Sequence, residues 1–580
     1  MSKLNIDQQT IYQLFSDKKS DFLIPDYQRP YAWEENECQT LWDDIFDFAF
    51  PGNDYSQFDD DNDEYFLGPI VTFKNTDGKL EIIDGQQRLT TLMLLLRAFY
   101  SRFLSMKDED SVQTRDTMSK CIWKTDTFGK LRTDELKIES EVSTDDDKEE
   151  FLSILKTGEV DKTYKSRYAQ VFRFFQDKIN DFINEYPMYC AYLPARIMNN
   201  CILLPIEAES QDTALRIFST LNDRGKPLSD SDIFKAQFYK YYSDKGQKDE
   251  FIRRWKDLEE KCEKHFFPQQ GTPLDDLFTR YMYYIRAKQG NRATTTEALR
   301  KFYEKDGYSL LKNDNTLGDL EALADFWEDI DQQDEDVFSK RVLRKLYVIN
   351  AAPNSMWEYF TSVYFMVNKD AGGSLEEVAF YEFLDKSTAF IFAYAFMHPG
   401  VNALRTPVYP EMISVVNGNQ VSFSEFKFER NAVRSVMQNY SFGNGRPITK
   451  SLLTWWALSR DDQAIFDLDD RLEIEHIFAR KRQEMENTLS DPSRLESLGN
   501  KALLEKKVNI RAADYRFEDK KKYYTGFTTE KGKVKEPTKN KELLEMAAEK
   551  TDFTEADINS RENAIFESFI KYLESNDLIK

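Results

Sequence analysis

Only three histidines occur in the 580 residues, His265, His398 and His476. One of them sits among residues that could do chemistry. His476 follows Glu475 directly, near the end of an alternating run; Asn500 comes 24 residues later and Asn509 another 9 beyond it. Hydrolysis of a phosphodiester asks three things of such a set. A neutral imidazole takes a proton from the attacking water, and His476 has the type for it. A hard divalent ion, usually magnesium, is held by oxygen ligands; Asn509, through its side-chain oxygen, and Glu475 are the candidates. A polar side chain holds the imidazole in its productive orientation; Asn500, in the loop, fits that orienting role or a structural one. Adjacent strand residues point to opposite faces, so Glu475 and His476 can share a site only at a bulge or a strand end. By residue type alone, the simpler account of His476 is an ordinary surface histidine. His265 and His398 lie in no motif and are read as structural.

A second set lies at Asp84-Gly85-Gln86-Gln87-Arg88. A glycine at a strand-to-helix turn permits close backbone approach. The amides that open a helix are unpaired, and the helix dipole favours an anion there. Gln86, Gln87 and Arg88 add donors, and arginine suits phosphate forks. Together these make a phosphate cradle. It is not a P-loop, because no Gly-x-x-x-x-Gly-Lys-Ser/Thr occurs. A polar turn carrying a surface arginine explains the same residues equally well. Two further segments stand out: residues 24–33, with Tyr27-Gln28-Arg29, and residues 214–235, with Asn222-Asp223-Arg224-Gly225-Lys226-Pro227-Leu228.

The elements that must position these sets can be read from periodicity. Residues 80–83 form a short strand and residues 67–73 a second one. Leu89, Leu92, Met93, Leu96 and Tyr100 recur at helical spacing, so the N-terminal set lies at a strand–turn–helix. Residues 106–200 read as mostly helical, with an exposed acidic break near 141–150. Residues 211–243 read as helix, loop, helix, and Ser229-Asp230-Ser231-Asp232 has the spacing of a capping box. Residues 245–440 are helical and aromatic-rich without a chemical motif; Trp255, Phe266, Tyr281, Tyr283, Trp327, Trp357 and Phe360 are assigned to the core. From about 445 a helix over 452–458 precedes a strand over 472–478. A loop with Gly499-Asn500 follows, then a helix entered near Val508-Asn509. No repeat of fixed period is visible.

The chain carries 79 Lys and Arg against 102 Asp and Glu, a formal charge of −23. That excess opposes broad, sequence-independent binding to nucleic acid. The acid is clustered at 59–64 and 145–150, however, whereas residues 501–540 hold twelve Lys/Arg against six Asp/Glu. The basic segment points to a nucleic-acid contact; a solvated charged helix is the plainer reading. The five scattered cysteines contain no Cys-x-x-Cys pair, which excludes a zinc ribbon and a disulfide framework and leaves buried, reduced thiols. The N-terminus has no apolar leader. The greasiest run, 89–100, is short and interrupted by Arg97, so no membrane span and a cytoplasmic location are expected.

The three N-terminal segments together resemble the N-terminal domain of GmrSD-like, modification-dependent (type IV) restriction endonucleases, a branch of the ParB/sulfiredoxin superfamily. The Asp-Gly-Gln-Gln-Arg signature is complete. Glu473-Ile474-Glu475-His476-Ile477, Leu498-Gly499-Asn500-Lys501-Ala502-Leu503-Leu504, Asn509 and Phe517-Glu518-Asp519-Lys520-Lys521 resemble the C-terminal, HNH-like (His-Me finger) nuclease domain of the same proteins. The family's His-Ile-x-Pro is here His476-Ile477-Phe478-Ala479, a departure in a backbone device and not in a catalytic group.

The resemblance implies a multidomain α+β chain, predominantly helical. Residues 1–240 would be a ParB/sulfiredoxin-like nucleotide-binding domain, 241–440 a helical linker domain, and 441–580 a ββα-metal nuclease domain. Asp84, Gly85, Gln86, Gln87, Arg88, Thr90, Gln28 and Arg29 would meet a nucleotide, with Arg224, Asp232 and Lys235 closing the pocket. His476, Asn500, Asn509 and Glu475 would be catalytic, with Asn509 and Glu475 on the metal. Lys506, Lys507, Lys520 and Lys521 would meet DNA phosphates. The implied cofactors are magnesium, or another divalent ion, and a nucleoside triphosphate whose base is unspecified. The implied partner is DNA, modified phage DNA included, with a homo-oligomer or a partner defence protein left open. The activity would be nucleotide-dependent endonucleolytic cleavage with NTP hydrolysis. The alternatives are a nucleotide-gated sensor or adaptor with weak or partner-dependent nuclease activity, and a nuclease acting on RNA or unmodified DNA.

Overall fold

Seven strands assemble the sheet that carries the Asp84–Arg88 turn: β1 (Asn5–Ile6), β2 (Gln9–Thr10), β3 (Phe22–Ile24), β4 (Tyr65–Lys74), β5 (Leu80–Asp84), β6 (Ile138–Ser140) and β7 (Cys201–Ala208). The computed structural model describes all residues except 1–4, 7, 52–62, 143–144, 162, 212, 215–216, 218–228, 401, 468–469 and 514–515. Arg224 thus lies outside the described residues. The chain divides into two compact units, Met1–Asp257 and Leu258–Lys580.

In the first unit the strand order is β1-β7-β4-β5-β3-β6, with β2 also on β7. β4 runs parallel to β7 and antiparallel to β5, and β3 is parallel to both β5 and β6. The strands expected at 67–73 and 80–83 are β4 and β5. The β4–β5 register shifts between Val71 and Thr72. There the chain leaves β5 through Gly85 and enters helix α1 (Gln86–Phe103). Gly85 has φ 91°, and a Cβ at that position would lie 3.1 Å from Ile70 Cγ1, so both backbone and space require glycine. The apolar face of α1 is wider than the stripe read from sequence. Leu89 and Leu92 to Leu96 are all fully buried, because the helix also packs against Arg167–Glu185. Its one mid-helix charge, Arg97, is buried and ends on the Leu155 carbonyl at 2.8 Å.

Residues 106–200 are mostly helical, as expected, but they also hold β6 and a hairpin of Trp123–Thr125 with Leu131–Leu136. Strands of three to six residues leave little periodicity to read. The acidic break is not wholly exposed: Asp145 is buried and accepts the Tyr168 hydroxyl at 2.5 Å. Helix α2 (Asp230–Asp244) opens on the expected capping box. Ser229 Oγ accepts from the Asp232 amide at 3.2 Å, and Asp232 Oδ2 accepts from the Ser229 amide at 3.1 Å.

The second unit is built on helices with interlocked rings, such as Phe326 on Phe365 (centroids 4.1 Å apart) and Tyr364 on Phe383 (4.0 Å). Every aromatic residue assigned to the core from sequence is buried. After the helix Pro447–Leu458 come strands β8 (Leu472–His476) and β9 (Lys501–Glu505), antiparallel, then α3 (Lys506–Ala512), α4 (Phe517–Thr525) and α5 (Glu555–Ser575). The chain is mixed α+β and predominantly helical. Its five cysteines are free, and four of them are buried. Among the described residues, no helix is long and apolar enough to cross a membrane.

Candidate functional site

The β8–β9 register is regular from Leu472↔Glu505 to His476↔Lys501, with no bulge. Glu473 and Glu475 therefore share one face of β8, and His476 points to the other. Each face has its own network.

On the first face, Asn509 Nδ2 donates to Glu473 Oε2 at 2.9 Å. Glu475 Oε1 accepts from Lys520 Nζ at 2.7 Å and from the Tyr524 hydroxyl at 2.6 Å. Lys520 and Tyr524 stand one turn apart on α4, which brings both to the same carboxylate. Lys520 also donates to the His476 carbonyl at 2.6 Å and is only 1 % exposed. Burial and the Glu475 charge push the Tyr524 hydroxyl well above its ordinary pKa, so it stays a donor.

On the second face, the His476 ring is 13 % exposed, with Nε2 3.5 Å from Glu496 Oε1. Glu496 accepts from Lys501 Nζ at 2.7 Å and from Arg480. Lys501 is fully buried and donates a second bond to Asn444 Oδ1 at 2.5 Å. Burial lowers the pKa of His476 to about 4, and the Lys501 and Arg480 charges act in the same direction against the pull of Glu496. The imidazole is neutral at neutral pH, the form a general base requires. Burial would raise the Glu496 carboxyl, but the bonds from Lys501 and Arg480 outweigh it and hold the group at about 2.

The loop before β9 is clamped from outside. Asn500 Oδ1 accepts from the Phe478 amide at 2.7 Å, and its Nδ2 donates to the Phe478 and Leu495 carbonyls at 3.1 and 3.2 Å. Arg561 of α5, anchored on Glu542, donates to the carbonyls of Leu498, Gly499 and Lys501. Gly499 lies so close to α5 that a Cβ would sit 2.1 Å from the Ile558 carbonyl oxygen.

These contacts change several expectations. Glu475 and Asn509 are not brought together as a ligand pair: Glu475 is neutralised by Lys520, and Asn509 faces Glu473. Asn500 takes the structural of its two expected roles: it holds the loop backbone and not the imidazole. Lys520 is buried in an ion pair, so it is not presented to DNA, and Lys521 Nζ is bound to the Lys550 carbonyl at 2.7 Å. Of the four lysines, Lys507 is exposed and Lys506 half-buried. Sequence reasoning missed Glu473, Asn444, Arg480, Glu496 and Lys501. Glu473 and Lys501 carried a signal, lying in the two motif segments that hold His476 and Asn500; the others carried none.

Among the described residues, no group of three or more His, Cys, Asp or Glu side chains could hold a metal. Glu473 and Asn509 offer two oxygen-bearing side chains. One carboxylate and one amide oxygen is a set that magnesium can take, with water and phosphate completing its shell, but here the amide presents Nδ2 to Glu473, so Asn509 would have to turn to ligate.

At the N-terminal turn the structure joins the first two segments; most of the third lies outside the described residues. Gln28 Nε2 donates to the Ile82 and Ile83 carbonyls, both at 3.2 Å. Gln86 Nε2 donates to the Arg29 carbonyl at 3.4 Å. Gln87 bonds the Pro30 carbonyl at 3.1 Å and the Ala32 amide at 2.6 Å. These glutamines tie the 24–33 loop to the turn, so their amides are already engaged. Thr90 is buried in α1 and Lys235 in α2; Asp232 is engaged in its capping box. Arg88 Nη1 donates to the Pro69 carbonyl at 2.9 Å, and its guanidinium lies over Gly68, where a Cβ would approach to 3.0 Å. Burial lowers the Arg88 pKa against the pull of Asp84. Asp84 Oδ1 accepts from the Gly85 amide at 2.8 Å; burial raises its pKa while Arg88 and Arg29 lower it. What remains to meet an anion is the set of amides opening α1, with the charges of Arg88 and Arg29 beside them.

Comparison with known proteins agrees with both halves. Residues 11–239 match the GmrSD restriction endonuclease N-terminal domain, and residues 429–568 match the GmrSD restriction endonuclease C-terminal domain. No curated protein matches the chain. The two matches take in both β5–α1 and β8–β9–α3, and with them the chain belongs to the GmrSD restriction endonuclease family.

Proposed function

We propose that the protein is a nucleotide-dependent restriction endonuclease of phage defence, cutting DNA, modified DNA in particular, by metal-assisted phosphodiester hydrolysis at His476. The observation that carries this reading is an imidazole at the end of β8, held neutral by burial and with the exposed Arg480 beside it, on an antiparallel strand pair followed by a helix. Arg480, exposed beside the ring, attracts the scissile phosphate. His476 takes a proton from water. The water oxygen bonds to phosphorus as the ester bond to the leaving oxygen breaks, and that oxygen takes its proton from solvent. Glu473 and Asn509, on the other face of β8 from the imidazole, are the residues that would hold a divalent ion, which would supply positive charge to a phosphate. At the other site, the amides opening α1 and the Arg88 guanidinium would hold nucleotide phosphates.

The test uses purified protein with modified and unmodified DNA, with magnesium, and with each nucleotide in turn. His476→Ala is expected to abolish cutting and to leave nucleotide binding intact; cutting that survives it removes the nuclease assignment. Arg88→Ala is expected to weaken nucleotide binding or turnover, and unchanged turnover removes the N-terminal one.

A further inference from the structure

Glu496 belongs to no motif, yet its carboxylate meets the sealed edge of the His476 ring. His476 Nε2 is sealed from solvent and makes no hydrogen bond; the acceptor it faces is Glu496 Oε1, 3.5 Å away. Nδ1 is not sealed in this way and takes no hydrogen bond from the described residues. The carboxylate is pinned from two sides by Lys501 and Arg480. Lys501 is held in turn by Asn444, whose Nδ2 donates to the Ile474 carbonyl at 3.2 Å. Ile474 lies on β8, the strand that carries His476. The contacts thus close a ring: β8, Asn444, Lys501, Glu496, His476 and back to β8.

A neutral imidazole has one N–H and one acceptor nitrogen, and an ionised carboxylate can only accept. A lone pair turned toward that carboxylate would be repelled by it, so the contact favours the proton on the nitrogen that faces Glu496. We propose that Glu496 is a positioning residue for the nuclease reaction: it receives Nε2–H of neutral His476, fixes the ring, and leaves the Nδ1 lone pair to take the proton from the attacking water. This rests on the reading of His476 as the general base. The orienting role expected of Asn500 passes to Glu496, because Asn500 spends its side chain on the Phe478 and Leu495 backbone.

The tautomer can be read directly. With three histidines in the chain, 15N-imidazole NMR of the full-length protein resolves few signals, and His476→Gln assigns the one of interest. The expected result at pH 7.5 is the Nε2–H tautomer. Glu496→Ala is expected to give a mixture of tautomers and to slow DNA cleavage about ten- to a hundredfold, a part of what a well-placed base contributes. Glu496→Gln, whose side-chain oxygen still accepts, is expected to keep Nε2–H and to lose less activity. An Nδ1–H tautomer in the wild type overturns the proposal. So does an unchanged tautomer in Glu496→Ala, or faster cutting in that variant, which would make Glu496 a plug and not a support. The wild-type measurement needs no variant, so it decides even if Glu496→Ala does not fold. It also needs no DNA: if His476→Ala still cuts, the nuclease reading fails while the tautomer result stands.

Discussion

Glu475 and His476 are neighbours in sequence and sit in opposite environments. The pleat of β8 sends Glu475 inward to Lys520 and Tyr524 and sends His476 to the face shared with Glu496. The Glu475–Lys520 pair is almost fully buried. Removing one partner leaves a charge in a low-dielectric interior, which costs about 3–5 kcal/mol. Glu475→Gln is therefore expected to lower the unfolding free energy by about that amount in urea titration, and Glu475→Gln with Lys520→Met to recover most of it. A single-variant loss under about 1 kcal/mol would show that the pair behaves like an exposed one. The type of each residue was legible in the sequence. Its partner was not, because Lys520 lies 45 positions beyond Glu475 and reads, on its own, as one more lysine in a basic run.

At the scale of elements, the site depends on how α5 grips the loop before β9. Arg561 takes three loop carbonyls, and Glu562 takes Ser497 and Arg494. Gly499 is the point of closest approach. Gly499→Ala forces the loop off α5, at about 1–3 kcal/mol or more for overpacking. We expect a lower melting temperature together with reduced cleavage, since Glu496 and Lys501 flank the displaced residue; a variant with wild-type melting and wild-type cleavage would show that the loop yields freely. The sequence showed Gly499-Asn500 as a loop but did not show β9. All five residues of β9 are buried, Lys501 and Glu505 among them, so the alternation that marks a half-buried strand is missing. The strand–turn–helix at Gly85 was legible for the opposite reason: a positive-φ glycine and a long apolar helix leave strong local signals.

At the scale of the whole molecule, a chain of charge −23 must offer DNA a restricted basic surface. Lys507, exposed at the start of α3, and Lys506 beside it suit that surface, whereas Lys520 and Lys521 are spent internally. If both lysines meet phosphates, the double variant Lys506→Ala/Lys507→Ala is expected to weaken DNA binding on all sequences alike. It should also reduce the slope of log affinity against log salt by about 0.9 for each phosphate that is no longer neutralised. A salt slope identical to that of the unaltered protein would place the DNA path elsewhere.

Sequence by itself determined the family resemblance, the helical and aromatic character of residues 245–440, the Gly85 turn, the α2 capping box and the singling out of His476. These rest on local spacing and on residue type, which a linear reading keeps. Tertiary structure alone decided which face of β8 each acidic residue takes, that Asn500 holds backbone, that the motif glutamines tie down the 24–33 loop, and that Glu496, Arg480 and Lys501 gather at the imidazole with Asn444 behind Lys501. The reason is physical: burial and long-range pairing set the charge, the tautomer and the reach of a side chain, and those interactions join positions tens of residues apart.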